Sequence, residues 1–565
     1  MFGCDCFYWS SRSEYYEADP LPESNPFSLP APLPQWPQGK GFGSGRICLG
    51  ELEVTKITTF ESIWSCSPSH GKAKSVAFYK PIGIPDGFFC LGYYCQSTDR
   101  PLRGYLLVAR EMDEPKVGFL HSGKLSDCPA LAKPVNYTLV WNSLPQNNTA
   151  GFIWLPNPPI GYRAMGFIVT GTPVEPCLDN IRCVRIDLTE DVESCDLLIS
   201  INSIYVWDTR PCRRGMFGRG VSVGTFFCST YKICEDDVLT TACLKNQVPI
   251  QHAMPNLDQI HALVNHYGPT VYFHPHETFL PSSVDWFFDN GALLYEFGKP
   301  NGERIDSNGS ILPKGGLNDG DFWIDLPKDE DKRNCVKCGN LESAELYVHV
   351  KPALGGSFTD IVMWVFCPFN GPVTLKVGLK KLPLSRVGEH VSDWEHFTLR
   401  VCNFNGELSS IYFSQHAGGE WVDASNLEYI HGNKAIVYSS KSGHASFPHP
   451  GTYMQGPSKL GVGIRNDAAK SKFSVDSSTK YKIVAAEYLG DHAIEEPCWL
   501  QYMRQWGPTV VYDARSEVEK IINHLPIFFR FSVENLLDLF PTELYGEEGP
   551  TGPKEKDNWY GDERW

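Results

Sequence analysis

No uninterrupted apolar run in the chain is long enough to span a bilayer. The opening "MFGCDCFYWSSRSEYYEADP" has no basic stretch leading into an apolar one, so a secretory leader is not expected. Positive charge is also short. There are 50 Lys plus Arg against 66 Asp plus Glu, a net charge of −16, and phosphate backbones need a concentrated basic face, so nucleic acid is excluded as a general partner. No nucleophile elbow, phosphate loop or dinucleotide fingerprint occurs. These absences together predict a cytoplasmic protein without a transmembrane segment, peripheral on endomembranes at most.

Aromatics (13%), Gly (50) and Pro (42) are what the chain has in quantity, the composition of a turn-rich, mainly β protein. A chain of 565 residues is too long for one core, so two or more domains are expected. The 19 cysteines are odd in number and scattered, which fits reduced thiols better than a disulfide framework. The triplets at Asn136, Asn147 and Asn308 then carry no weight as glycosylation sites. Cys335 and Cys338 form a lone CxxC with no second pair to complete a zinc knuckle. Cys4 and Cys6, beside Phe7, Tyr8 and Trp9, make either an acylation site or a packed terminal segment, and Phe2 rules out myristoylation.

Residues 1–40 end in a Pro-rich, then Gly-rich stretch that cannot be helical and reads as an extended or wrapping arm. In residues 41–245, Pro85, Gly87 and Gly92 recur as Pro159, Gly161 and Gly166, each 74 residues on. A weaker third copy runs from Ile204 to Gly220 and Gly224. Each unit has the residues of a hairpin, and hairpins are marginal alone, so three sharing one core predict a pseudo-threefold β-prism-like domain. Residues 246–540 read as a β-sandwich with a few flanking helices. One helix runs through Leu257, Ile260, Leu263 and Val264, and a second follows a Ser516 to Glu519 capping box, with Val518, Ile521, Ile522 and Leu525 on one face. Residues 541–565 are charged and breaker-rich, and are expected to be an exposed extension.

The stretch "GEHVSDWEHFTLRV" at 388–401 carries the chemistry. As a strand it places Asp393 and Glu395 on the face that continues into Phe397, Leu399 and Val401. Two carboxylates on a line into a core need a counter-charge, which a divalent cation would supply. His390 precedes them at a turn, and the next β runs end in His416 and His444 beside small residues, so five potential ligands arrive from three strand ends. The competing reading is a set of turn histidines and carboxylates bonded to backbone amides. In "HPHETFLPSSVDWFF", Glu277 reads as a structural tie rather than a ligand. Arg210, Arg213, Arg214 and Arg219 form one basic turn, which either binds anionic head groups or pairs with the chain's acids.

The segments "LPQWPQGKGFGSGRICLGELEV", "YFHPHETFLPSSVDWFF", "GEHVSDWEHFTLRV", "YFSQHAGGEWV", "GHASFPHPGTY" and "GPTGPKEKDNW" resemble the plant vacuolar protein sorting-associated protein 62-like family, which carries a domain of unknown function, over nearly the whole chain. The repeated Pro-x-Gly hairpins look like the β-prism of membrane-associated trafficking adaptors, implying acidic phospholipids or trafficking proteins as partners. "EHVSDWE" is similar to a motif of the necrosis- and ethylene-inducing-peptide-like proteins, β-sandwich toxins that bind a divalent cation and a glycolipid. That resemblance implies His390, Asp393, Glu395, His416 and His444 as ligands of Ca, Mg, Mn or Zn. It also sets Asn370 where that family has an acidic ligand, and Ser392 and Glu389 depart from its motif. The function expected is therefore non-enzymatic binding in membrane trafficking. The alternative is a metal-dependent hydrolase using the same cluster.

Overall fold

The computed structural model describes residues 26–563 except 67–74, 113–127, 144–149, 202–203, 234–237, 378–379, 417, 456–461, 512–545 and 548. Cys4, Cys6, Asn147 and the second helix expected after Ser516 lie outside the described residues. The fold is mainly β, as the composition predicts. Among the described residues no helix is long and apolar enough to cross a membrane, and the cysteines are free thiols, with Cys335 and Cys338 exposed.

In the first half the repeat is visible in the backbone. Phe88 N–H donates to Pro85 O at 3.0 Å and Tyr162 N–H to Pro159 O at 3.1 Å, closing matched turns. Gly87 (φ 81°) and Gly161 (φ 84°) take the left-handed conformation that such turns reserve for glycine. The downstream glycines meet at a common centre. A Cβ on Gly92 would lie 2.8 Å from Thr225 Cγ2 and 3.1 Å from Gly166 Cα, while one on Gly166 would fall on the Thr225 side chain itself. Around this contact Trp64, Phe78, Trp154, Phe167, Val206 and Phe226 form one core drawn from all three units.

The second half is built on a six-stranded sheet in the order Gly418–Asp423, Leu408–Gln415, His390–Cys402, Phe358–Asn370, Leu346–Ala353, Tyr481–Ala485. One face packs on the sheet containing Lys434–Ser439, Thr270–Phe273 and Ser474–Asp476, with Val271, Val437, Ile361, Phe397 and Leu399 between them. The helix Leu257–Tyr267 flanks this core with a capping box between Asn256 and Gln259, and Ile260, Leu263 and Val264 are fully buried. The opposite face carries Trp364, Phe366 and Trp394, covered by the helix Val284–Asp289 and by Trp499, Trp506 and Trp559. A cluster of Ile47, Leu52, Val221 and Leu244 with Phe358, Cys402 and Phe404 joins the two halves.

Both ends of the described chain wrap the second half. Trp36 donates to Asn405 O at 2.9 Å and Ala31 N–H to Asn433 Oδ1 at 2.8 Å, so the arm is extended and docked. The exposed extension expected at the C-terminus is a correction. Over residues 549–563 the segment is packed: Trp559 is fully buried and stacks on His349 at 3.8 Å between ring centroids. The buried Lys351 ammonium donates to the carbonyls of Asn558 and Gly561. Charges that suggest solvation in the sequence are consumed by partners: Asp562 lies between Arg214 (3.1 Å) and Arg400 (2.9 Å), and Glu563 accepts from His396 at 2.9 Å and from Thr398.

Candidate functional site

The strand His390–Cys402 pairs antiparallel with Phe358–Asn370, which sets Asn370 opposite His390, Cys367 opposite Asp393 and Val365 opposite Glu395. Near its start Ser392 has φ 57°, a left-handed residue that shifts the strand's alternation. From there Asp393 and Glu395 continue onto the apolar face of Phe397, Leu399 and Val401, as the sequence predicts. Asn370, His390, Asp393, Glu395 and His416 line one cavity of about 430 Å³. Lys441, Arg465 and Asn466 join them from neighbouring strands and turns, and Lys556 from the C-terminal segment.

His444 does not line the cavity; it stands behind Asp393. Its Nδ1 is 2.8 Å from Asp393 Oδ2 and its Nε2 is 2.8 Å from the Phe279 carbonyl oxygen. A carbonyl can only accept and a carboxylate accepts, so both ring nitrogens carry protons and the ring is an imidazolium. Burial alone would discharge it; the Cys367 sulfur, Asp393 and Glu277 around it raise it well above the ordinary histidine value. Burial likewise pushes Asp393 up, but the hydrogen bond and charge of His444 override it and hold the carboxyl below its usual range. His444 therefore has no lone pair to offer an ion, a correction to its expected place among the ligands. Glu277 is the structural tie expected, with Oε1 accepting from the amides of Thr278 (2.8 Å) and Phe279 (2.9 Å), and Oε2 from Ser442 (2.6 Å).

Glu395 is in the opposite condition to Asp393. Burial, then the neighbouring Asp393 charge, pushes it up to about 8, with Ser414 Oγ donating to it at 2.8 Å. It thus keeps its proton at neutral pH while Asp393 is ionised. Among the described residues, His390, His416 and Asn370 each keep one side-chain polar atom without a partner. His390 Nδ1 donates to Ser392 O at 2.9 Å, which leaves Nε2; His416 Nε2 donates to Asn466 Oδ1 at 3.2 Å, which leaves Nδ1. Asn370 Nδ2 donates to Gly371 O (3.2 Å) and Gly388 O (2.6 Å), leaving Oδ1. A Cβ at Gly443 would lie 3.4 Å from His416 Cε1 and 3.9 Å from Asn370 Oδ1, so the two side chains converge on that glycine.

His416 (φ 53°), Ser442 (φ 69°) and His444 (φ 52°) join Ser392 in the left-handed region. Such strained backbone persists where surrounding structure enforces it, and it concentrates at functional sites. Among the described residues no three His, Cys, Asp or Glu side chains stand close enough together to hold a metal ion as placed. Asp393, Glu395 beside it and Asn370 Oδ1 are the oxygen donors a hard divalent cation takes, whereas the two imidazoles suit a softer ion.

The basic turn is largely spent. Arg210 and Arg214 both engage Glu193 Oε1 (2.9 and 2.7 Å), and Arg214 also holds Asp562. Arg219 donates to Asn246 O at 3.2 Å and Arg213 is exposed. Sequence reasoning missed Lys556 and Asn466 as cavity residues: Lys556 lies in the family-like segment "GPTGPKEKDNW", which reads as tail, and Asn466 has no motif around it.

The sequence model of the vacuolar protein sorting-associated protein 62 family matches residues 23–563. The chain belongs to that family. No curated protein sequence matches the chain. Among solved structures, GNIP1Aa from Chromobacterium piscinae is 16% identical, with a TM-score of 0.28, over 38% of this chain and 40% of that one, so this chain spans well under half of its length. NLPPya in complex with glucosamine is 14% identical (TM-score 0.20), over 41% of this chain and 75% of that chain. Necrosis and Ethylene inducing Protein 2, from the causal agent of cocoa's Witches Broom disease, is 12% identical (TM-score 0.19), over 40% and 74%. So little of the geometry is shared that none of them carries a ligand or an activity to this family member.

Proposed function

We propose that this family member is a non-enzymatic binding protein of vacuolar sorting whose C-terminal cavity takes a divalent cation on Asp393 and Glu395 and, beside it, the polar head group of a phospholipid or glycolipid. The observation that carries the reading is the acid pair itself: two adjacent carboxyl groups, both facing one cavity, of which one is forced to keep its proton. A divalent cation is the natural partner of such a pair, because it supplies the counter-charge that burial and mutual repulsion demand. Asn370, His390 and His416 would complete the coordination, with His444 fixing the Asp393 carboxylate from behind as an orienting residue. Of the basic turn, Arg213 and Arg219 are the groups left to meet an anionic surface.

The test is calorimetric titration of chelator-treated protein with Ca²⁺, Mg²⁺, Mn²⁺ and Zn²⁺ separately. One of them should bind to the wild type and not to Asp393→Asn, and flotation with anionic or glycolipid vesicles should require the same ion. Absence of binding by all four would overturn the reading. A hydrolytic role for the same cluster has one observation in its favour: Glu395, protonated at neutral pH and facing the cavity, is equipped as a general acid. Metal-dependent turnover lost in Glu395→Gln, in a protein that still binds the ion, would favour that role.

A further inference from the structure

We infer that Lys556, on the packed C-terminal segment, is the built-in counter-charge of the acid pair, so that this segment sets how tightly the cavity holds a divalent cation. The inference deepens the cation reading above and rests on it. Lys556 lines the same cavity as Asp393 and Glu395. Its backbone is pinned: its N–H donates to Pro553 O at 3.1 Å, and its carbonyl accepts from the N–H of Trp559 at 2.9 Å, whose ring is sealed in the core. Trp559 Nε1 in turn donates to Glu487 at 3.1 Å, and Asp562 is clamped between Arg214 and Arg400.

Two residues away, Lys554 is committed to Glu496 at 2.6 Å, whereas among the described residues Lys556 makes no ion pair. Its positive charge instead belongs to the wall of the cavity that both acids line. A positive charge there opposes a second positive charge entering the same space. Cation binding and the lysine's occupancy of the cavity wall are therefore competitive.

Lys556→Met is the variant to compare with the wild type and with Lys556→Arg, using Mn²⁺ and Ca²⁺ titrated calorimetrically into chelator-treated full-length protein. The expected result is a Kd about tenfold lower in Lys556→Met and unchanged in Lys556→Arg. Thermal unfolding in chelator gives a second readout that needs no ion. Without its counter-charge the ionised Asp393 should lower the Tm of Lys556→Met by a few degrees, and Lys556→Arg, which keeps the charge, should rescue it. If no ion binds any variant while this loss and rescue are seen, the cation reading falls and the counter-charge role stands. If Lys556→Met alters neither affinity nor Tm, the inference is overturned.

Discussion

Replacing His444 by leucine tests the buried Asp393 to His444 pair most directly. The substitution removes an imidazolium that is 1% exposed and leaves Asp393, 8% exposed, with its 2.8 Å partner gone. Breaking a buried pair by removing one member costs about 3–5 kcal/mol, because the surviving charge is neither hydrated nor paired. In a domain of this size each kcal/mol lowers the melting temperature by about 2–4 °C, so a fall of about 6–20 °C is expected at pH 8. The sign of the pH dependence follows. In the variant the Asp393 carboxyl loses what holds it down, so burial raises it above its unfolded value. The penalty is then fully present above that raised value and disappears as falling pH protonates the group. Asp393→Asn in the same chain should recover most of the loss. Thermal unfolding followed by tryptophan fluorescence, from pH 5 to 8, reads all three quantities. A melting temperature within about 2 °C of wild type at pH 8, or a loss that does not shrink on acidification, would refute the argument from acceptor geometry.

Glu563, like Glu487, should contribute to the acid end of the stability curve. Burial pushes its carboxyl up, but the His396 charge and hydrogen bond and the Thr398 hydroxyl bring it down to about 2, so its contribution is complete above the ordinary glutamate value and is lost as pH falls from about 4.5 toward 2. Glu563→Gln should be less stable at pH 7 and should flatten acid unfolding over that window, seen by circular dichroism; an unchanged profile would reject the account. Trp559→Ala removes a fully buried indole and should cost about 3–5 kcal/mol by denaturant titration, against nearly nothing for an exposed tail. Gly166→Ala drives a methyl group into Thr225 and should destabilise the first half by about 1–3 kcal/mol, whereas Gly171→Ala, with open space around it, should be close to neutral. Arg213→Ala combined with Arg219→Ala should reduce flotation with anionic vesicles; unaltered flotation would remove these arginines from membrane contact.

What the sequence made legible was local. The 74-residue spacing announced two matched turns because glycine at positive φ leaves a fixed mark, and the helix at Leu257–Tyr267 could be read from one face of apolar residues. Alternation placed Asp393 and Glu395 on the face of Phe397 and Leu399 because strand periodicity survives past Ser392. The roles of His444 and of the C-terminal segment were not legible. Whether a histidine is a ligand or an imidazolium depends on which acceptors face its two nitrogens, and Phe279 O and Asp393 come from segments 165 and 51 residues away. The tail's charges read as solvated because their partners, Arg214, Lys351, His396 and Arg400, are spread over both halves of the chain.

The packing of residues 549–563 carries a consequence for biosynthesis. Those residues leave the ribosome after every other described part, yet they supply one wall of the cavity, a tryptophan of the core and the carboxylate joining Arg214 to Arg400. Both halves can collapse earlier, but the cavity lacks its Lys556 wall, and Arg214 and Arg400 lack their shared carboxylate, until translation has passed Asp562. A chain stalled before Trp559 would keep the carboxylates of His390–Cys402 and leave the ring of His349 without the indole that stacks on it.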